Sequence, residues 1–125
     1  GLYFSLPRYR EACQAAWREL GEPERRFWRL FLDWGGYDFT DEYLAANEMQ
    51  AYLFQQPRAG LDSYFRRRCS GRLARAFPGE AAWLRGFLDA GGGGFERVFD
   101  RLVPVLRGEA RLEGGRVVEW KKVEE

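Results

Sequence analysis

Histidine is absent from the 125 residues. Imidazole is the side chain that ordinarily titrates near neutral pH, so His-based acid/base chemistry, Ser-His or Cys-His nucleophile activation, and zinc sites that need imidazole are excluded within this chain. No apolar run approaches the roughly 18 residues of a membrane-spanning helix, and the first residues lack the basic-then-apolar order of a signal peptide. An initiating Met is also missing, which leaves open that the chain is a fragment of a longer protein. Two cysteines, Cys13 and Cys69, are too few to indicate an oxidising compartment and are expected as free, buried thiols. Net charge is nearly absent too: 20 basic and 19 acidic residues leave +1. That balance argues against a generally basic nucleic-acid binder or an acidic tail protein, so any charged partner has to be read by a local patch.

What the chain does have is aromatic residues, 17% of the total, including Trp17, Trp28, Trp34, Trp83 and Trp120. Large rings supply large buried areas, so the length and this composition predict one domain with an aromatic-rich core. Apolar residues recur at helical spacing over Pro7–Leu20 and Pro23–Trp34, a pair that reads as a helical hairpin ended by Gly35-Gly36. Thr40 is the expected N-cap of a helix over Thr40–Gln56, with Asp41 and Glu42 in its first turn. Further helices are expected over Leu61–Phe77, Glu80–Ala90 and Phe95–Leu106, the last bent or ended by Pro104. Gly91–Gly94 reads as a hinge or turn, and Arg111–Trp120 as a β-hairpin around Gly114-Gly115. The expected fold is therefore mainly α: a single-domain bundle of five or six helices over residues 1–107, with a short C-terminal β-hairpin and tail over 108–125.

The Thr40–Gln56 helix carries the residue of greatest functional interest. Helical spacing makes Leu44, Ala45, Ala51 and Tyr52 the immediate neighbours of Glu48, placing a carboxylate on a face that otherwise looks meant for the interior. A buried carboxylate needs a cation, a metal or several donors, or else it takes up a proton. The structural account is pairing with an arginine or with Tyr and Trp donors inside the bundle.

The run Ala45-Ala46-Asn47-Glu48-Met49-Gln50-Ala51-Tyr52 resembles the second zinc-binding helix of the gluzincin, or thermolysin-like, metallopeptidases. In that group an Asn-Glu helix supplies the third protein ligand to zinc, and an earlier HExxH helix supplies two histidines and the general base. The resemblance implies Glu48 as metal ligand, with Asn47 and Tyr52 beside it. An aspartate that in the type member stands four residues after the glutamate and supports a histidine is replaced here by Tyr52, so that role is not carried over. By the same resemblance, Gly1-Leu2-Tyr3-Phe4 reads as the remainder of an HExxH helix whose histidines lie upstream. The implied identity is the C-terminal helical portion of a zinc metallopeptidase-like protein. Its substrate would be a peptide or protein and its zinc would belong to the intact parent. The chain alone is expected to hold no cofactor and to be inactive.

Two other sets of residues invite a functional reading. Arg66, Arg67, Arg68, Arg72 and Arg75, with Tyr64 and Phe65 nearby, form a candidate partner-binding set. A solvated helix face explains them more simply, and the near-neutral chain makes nucleic acid an unfavoured partner. Asp33, Asp38, Asp41 and Glu42 do not have the spacing of a calcium loop, and caps and turns account for Asp38 and Asp41. The alternative to the peptidase reading is a non-enzymatic helical domain that binds a protein partner through its aromatic faces or its arginine helix.

Overall fold

The computed structural model describes residues 2–91 and 94–112, and these are mainly helical. In chain order the helices are α1 (Leu2–Ser5), α2 (Pro7–Arg18), α3 (Glu22–Trp34), α4 (Glu42–Leu53), α5 (Leu61–Ser63), α6 (Ser70–Ala76), α7 (Ala81–Asp89) and α8 (Phe95–Leu112). Short 3-10 turns at Arg58–Gly60 and Pro78–Glu80 precede α5 and α7, and a π-helical segment, Tyr64–Cys69, joins α5 to α6. Among the described residues no helix is long and apolar enough to cross a membrane.

Local chemistry accounts for the helix ends. Pro7 starts α2 without losing a needed N–H. Glu24 accepts the Gly21 N–H at 3.0 Å and so closes the first turn of α3. At the other end of α3, Gly36 takes φ +81°, where a side chain is disfavoured. There the Tyr37 N–H returns to the Leu32 carbonyl at 2.9 Å, and the Gly36 N–H to Asp33 at 3.0 Å. The N-cap of α4 is Asp41 rather than the expected Thr40: its carboxylate accepts from the Tyr43 and Leu44 amides at 3.0 and 3.2 Å. Thr40 is occupied instead by Asp38, which accepts from its hydroxyl and, at 3.0 Å, from its amide, and those hydrogen bonds hold the Asp38 carboxyl below its ordinary pKa.

Helix α2 lies between α4 and α8 and runs antiparallel to both. Arg18 pairs with Glu42 at 3.7 Å near one end of the α2–α4 contact, and the Tyr9 hydroxyl donates to Gln50 at 2.7 Å near the other. Along α8, Arg101 pairs with Glu19, and Glu109 accepts the Tyr9 amide at 3.2 Å. The expected hairpin of α2 with α3 is not the main pairing, because α3 packs chiefly on α6 and α4. Small residues explain the preference: Cys13 and Ala16 on α2 and Ala45 and Ala46 on α4 are all buried, which lets the two backbones approach closely.

Two further expectations are corrected. The continuous α-helix over Leu61–Phe77 is interrupted by the π-helical segment. Leu61, Phe65, Cys69 and Leu73 are all buried at a constant spacing of four residues. In a helix of 3.6 residues per turn that spacing rotates by about 40° per step, and a wider turn offsets the drift, keeping all four inward. Helix α8 runs through Pro104 to Leu112 instead of ending near Leu106. Pro104 is exposed, so the Asp100 carbonyl that loses its partner is on the solvent side, while Leu102, Leu106 and Ala110 stay buried on both sides of the interruption. The expected hairpin lies largely outside the described residues; its first two positions, Arg111 and Leu112, belong to α8.

Glu109 is a buried charged residue at 8% exposure, and the sequence pattern did not single it out. It caps α2 from a distance: Leu6, the N-cap of α2, offers no side-chain acceptor, and the Glu109 carboxylate meets the Tyr9 amide at the positive end of the helix. Glu109→Ala is expected to cost about 0.5–2 kcal/mol of unfolding free energy, the range for a helix cap. Urea denaturation would measure it, and a change within error would show the cap to be energetically idle.

Candidate functional site

Helix α4 turns Ala45, Ala46, Met49 and Leu53 into the core. Glu48 lies on the flank of that face, half-buried, and Leu44 beyond it is 42% exposed. The expected inward face is therefore rotated away from Glu48, because the small residues at 45 and 46 are the ones that fit against α2. Among the described residues no arginine or lysine forms an ion pair with Glu48.

The neighbours of Glu48 are phenols. The Tyr37 hydroxyl stands 3.4 Å from that of Tyr52 and within the influence of the Glu48 carboxylate. The Tyr52 hydroxyl, burial and the negative charge of Glu48 together push the Tyr37 pKa up to about 12. The Tyr52 ring meets Phe31 edge-on at 4.8 Å, which ties this group to the core. Asn47 faces a different set of partners: it accepts from Gln50 at 3.1 Å, and Gln50 in turn accepts from the buried Tyr9. The opening residues of the chain lie against the start of the same helix. Tyr3 donates to the Tyr43 carbonyl at 2.7 Å, and the Phe4 and Tyr43 rings are 5.9 Å apart.

Tyr37 was legible only as part of a link. Its approach to Glu48 depends on the chain reversal at Gly36, for which the Gly35-Gly36 pair is the available sequence signal. Tyr64 is another member that the sequence placed with the arginines alone. Its phenol is pushed up to about 12, mainly by burial and then by Cys69, with Tyr52 adding to the rise and Arg72 opposing it. The aromatic residues around Glu48 and the arginine segment are joined through the core: Tyr64 meets Phe65 at 4.9 Å, Phe65 meets Phe31 at 5.6 Å, and Phe31 meets Tyr52 at 4.8 Å.

Of the candidate arginines, Arg66 pairs with Asp62 at 3.3 Å, while Arg67, Arg68, Arg72 and Arg75 are exposed. Asp38 and Asp41 serve the turn and cap described above, and Glu42 pairs with Arg18. Among the described residues no group of three or more His, Cys, Asp or Glu side chains is placed to hold a metal ion. Cys13 and Cys69 are free and buried as expected.

The raised groups determine the response to alkali. Burial pushes the Cys13 thiol from 9.0 to about 12, against a lowering contribution from Tyr9, and Tyr37 and Tyr64 rise from 10.0 to about 12. Each is favoured neutral in the fold, so its stabilisation is complete below the unfolded pKa and is lost as pH rises through the folded one. The thermal midpoint is expected to fall steadily from about pH 9 to about pH 12, with a shallower fall in Cys13→Ala. Circular-dichroism melts across that range test this, and a flat profile would contradict it. In the comparisons with known proteins, no family model, no curated protein and no solved structure matches this chain.

Proposed function

We propose that this chain is the helical portion of a gluzincin-type, metallopeptidase-like protein, with Glu48 its contribution to a zinc site whose histidines lie outside this sequence. What supports the reading is the setting of Glu48. It is a half-buried carboxylate without a cationic partner among the described residues, on a helix whose start is packed by the opening residues of the chain. The resemblance of Asn47-Glu48 and its surroundings to the zinc-binding helix asks for that arrangement. The residues present do not by themselves fit zinc: there is no histidine, and among the described residues Glu48 belongs to no group of three or more donors. No catalytic step is therefore assigned to this chain. With its full ligand set, zinc would polarise a peptide carbonyl and acidify a bound water. The chain's own part is to hold the Glu48 carboxylate in place, through the α4 core contacts and the Tyr37–Tyr52 pair beside it. Tyr52 would serve as a neighbour of the ligand, and Asn47, engaged by Gln50, as a brace of the helix. Zinc titration of the whole gene product against its Glu48→Gln variant tests the assignment.

A second reading, a non-enzymatic helical domain that binds a protein partner, is favoured by the aromatic residues left outside the core. Phe4, Trp34, Tyr37 and Tyr43 are 50%, 38%, 37% and 40% exposed. Full activity and zinc affinity in Glu48→Gln would leave this reading standing and remove the first.

A further inference from the structure

Several arginines elsewhere in the molecule meet an acid at short range. Arg26 meets Glu80 at 2.6 Å, Arg29 meets Glu22 at 3.2 Å, and Arg97 and Arg101 meet Glu24 and Glu19. The stretch 57–79 is different, with six arginines and one acid. Arg58 is held bidentately by Asp100 at 2.7 and 2.8 Å, and Asp62 is taken by Arg66. Arg67, Arg68, Arg72 and Arg75 remain exposed without an acidic partner among the described residues. Three of these, at 68, 72 and 75, have the four-then-three spacing that puts side chains on one side of a helix, over a length of about 10 Å.

That stripe is joined to apolar surface. Tyr64, one turn before Arg68, feels both Arg72 and Tyr52. Tyr52 rests on Phe31, and Phe31 on the 38% exposed Trp34 at 6.0 Å. The partly exposed rings of Tyr64, Tyr52 and Trp34 thus surround the buried Phe31 and Phe65, with the exposed guanidinium groups on the segment that carries Tyr64.

We propose that this face docks an acidic peptide segment of a protein partner, with aspartate or glutamate carboxylates on Arg68, Arg72 and Arg75 and an apolar side chain on Tyr52, Tyr64 and Trp34. Charge complementarity identifies the occupant. The guanidinium fork matches a carboxylate, and carboxylates three or four residues apart on a helical segment match the spacing of the stripe. Nucleic acid fits less well, because strong phosphate tracking draws on roughly 6–10 contacts and the chain as a whole carries only +1. The proposal deepens the second functional reading and rests on it for its biological setting, while its chemistry does not involve Glu48.

The test is fluorescence anisotropy of the 125-residue chain with a labelled oligoglutamate peptide containing one phenylalanine. The same peptide with glutamine for glutamate and a labelled oligouridylate serve as comparisons. Binding of the glutamate peptide is expected to weaken with salt, to fall about tenfold or more in Arg68→Glu/Arg72→Glu, and to persist in Arg8→Glu. Tyr52→Ala should weaken it without altering the salt dependence. The positions reversed are exposed, and an unchanged helical spectrum would show that the variants fold. Failure of the glutamate peptide to bind, equal binding of the glutamine peptide, tighter binding of the RNA, or indifference to the charge reversal would each overturn the proposal. Those outcomes are separate from zinc titration at Glu48, so failure here leaves the metallopeptidase reading untouched.

Discussion

Phe65→Ala is expected to destabilise the fold by about 3–5 kcal/mol, the range for truncating a buried aromatic residue. Phe65 is fully buried and stacks on Phe95 at 4.2 Å, with Phe27, Trp28 and Phe31 around it at 6.0, 5.4 and 5.6 Å. It therefore links α3, the π-helical segment and the start of α8. Rigid rings on three elements give the site little means of collapsing, so the transfer and cavity contributions should both appear. Against a total stability of roughly 5–15 kcal/mol, the loss would leave a marginal protein. Trp34→Ala, at a partly exposed ring on α3, should cost far less. Guanidinium denaturation of the two variants beside the parent makes the comparison. Equal losses would show that the core does not centre on Phe65.

The elements were legible where one local signal decided them. Pro7, the Gly35-Gly36 pair and the acidic start of α4 each act within a turn of the residues they affect, and helices begin or end there. The N-cap moved one residue, from Thr40 to Asp41, because two adjacent side chains could both serve and Asp38 had already engaged Thr40. Pro104 misled because its cost depends on where the freed carbonyl faces, and that is set by tertiary packing. The π-helical segment was hidden for a related reason: Leu61, Phe65, Cys69 and Leu73 are compatible with an ordinary helix until the core requires all four to stay on one side. Glu109 lay beyond reach, since its partner amide is 100 residues away in sequence.

At the candidate site the residue types could be read, but their surroundings could not. Glu48 was identifiable from its motif and its helix, yet the inward face could not be assigned from apolar spacing alone. Alanines at 45, 46 and 51 offer alternative stripes, and the choice between them falls to the small residues on α2. The arginines were visible as a run, whereas their lack of acidic partners depends on Asp62 and Asp100 already being engaged by Arg66 and Arg58.

The largest functional effect is expected at Glu48 itself. If it ligates zinc in the whole gene product, Glu48→Gln should lower zinc affinity by about a hundredfold or more, since groups that merely support metal ligands already contribute about 10–100-fold. Peptidase activity should fall with it. Tyr37→Phe separates ligation from general electrostatics. It removes a hydroxyl whose pKa is raised partly by Glu48, without touching the carboxylate, and should change zinc affinity much less. Stability supplies the remaining control. Glu48 is half-buried and lacks an ion-pair partner among the described residues, so Glu48→Gln should leave the denaturation midpoint nearly unchanged. A large loss of zinc binding with an unshifted midpoint is the signature of a ligand. A shifted midpoint with unchanged zinc affinity would instead make Glu48 a structural carboxylate, held by its neighbouring phenols.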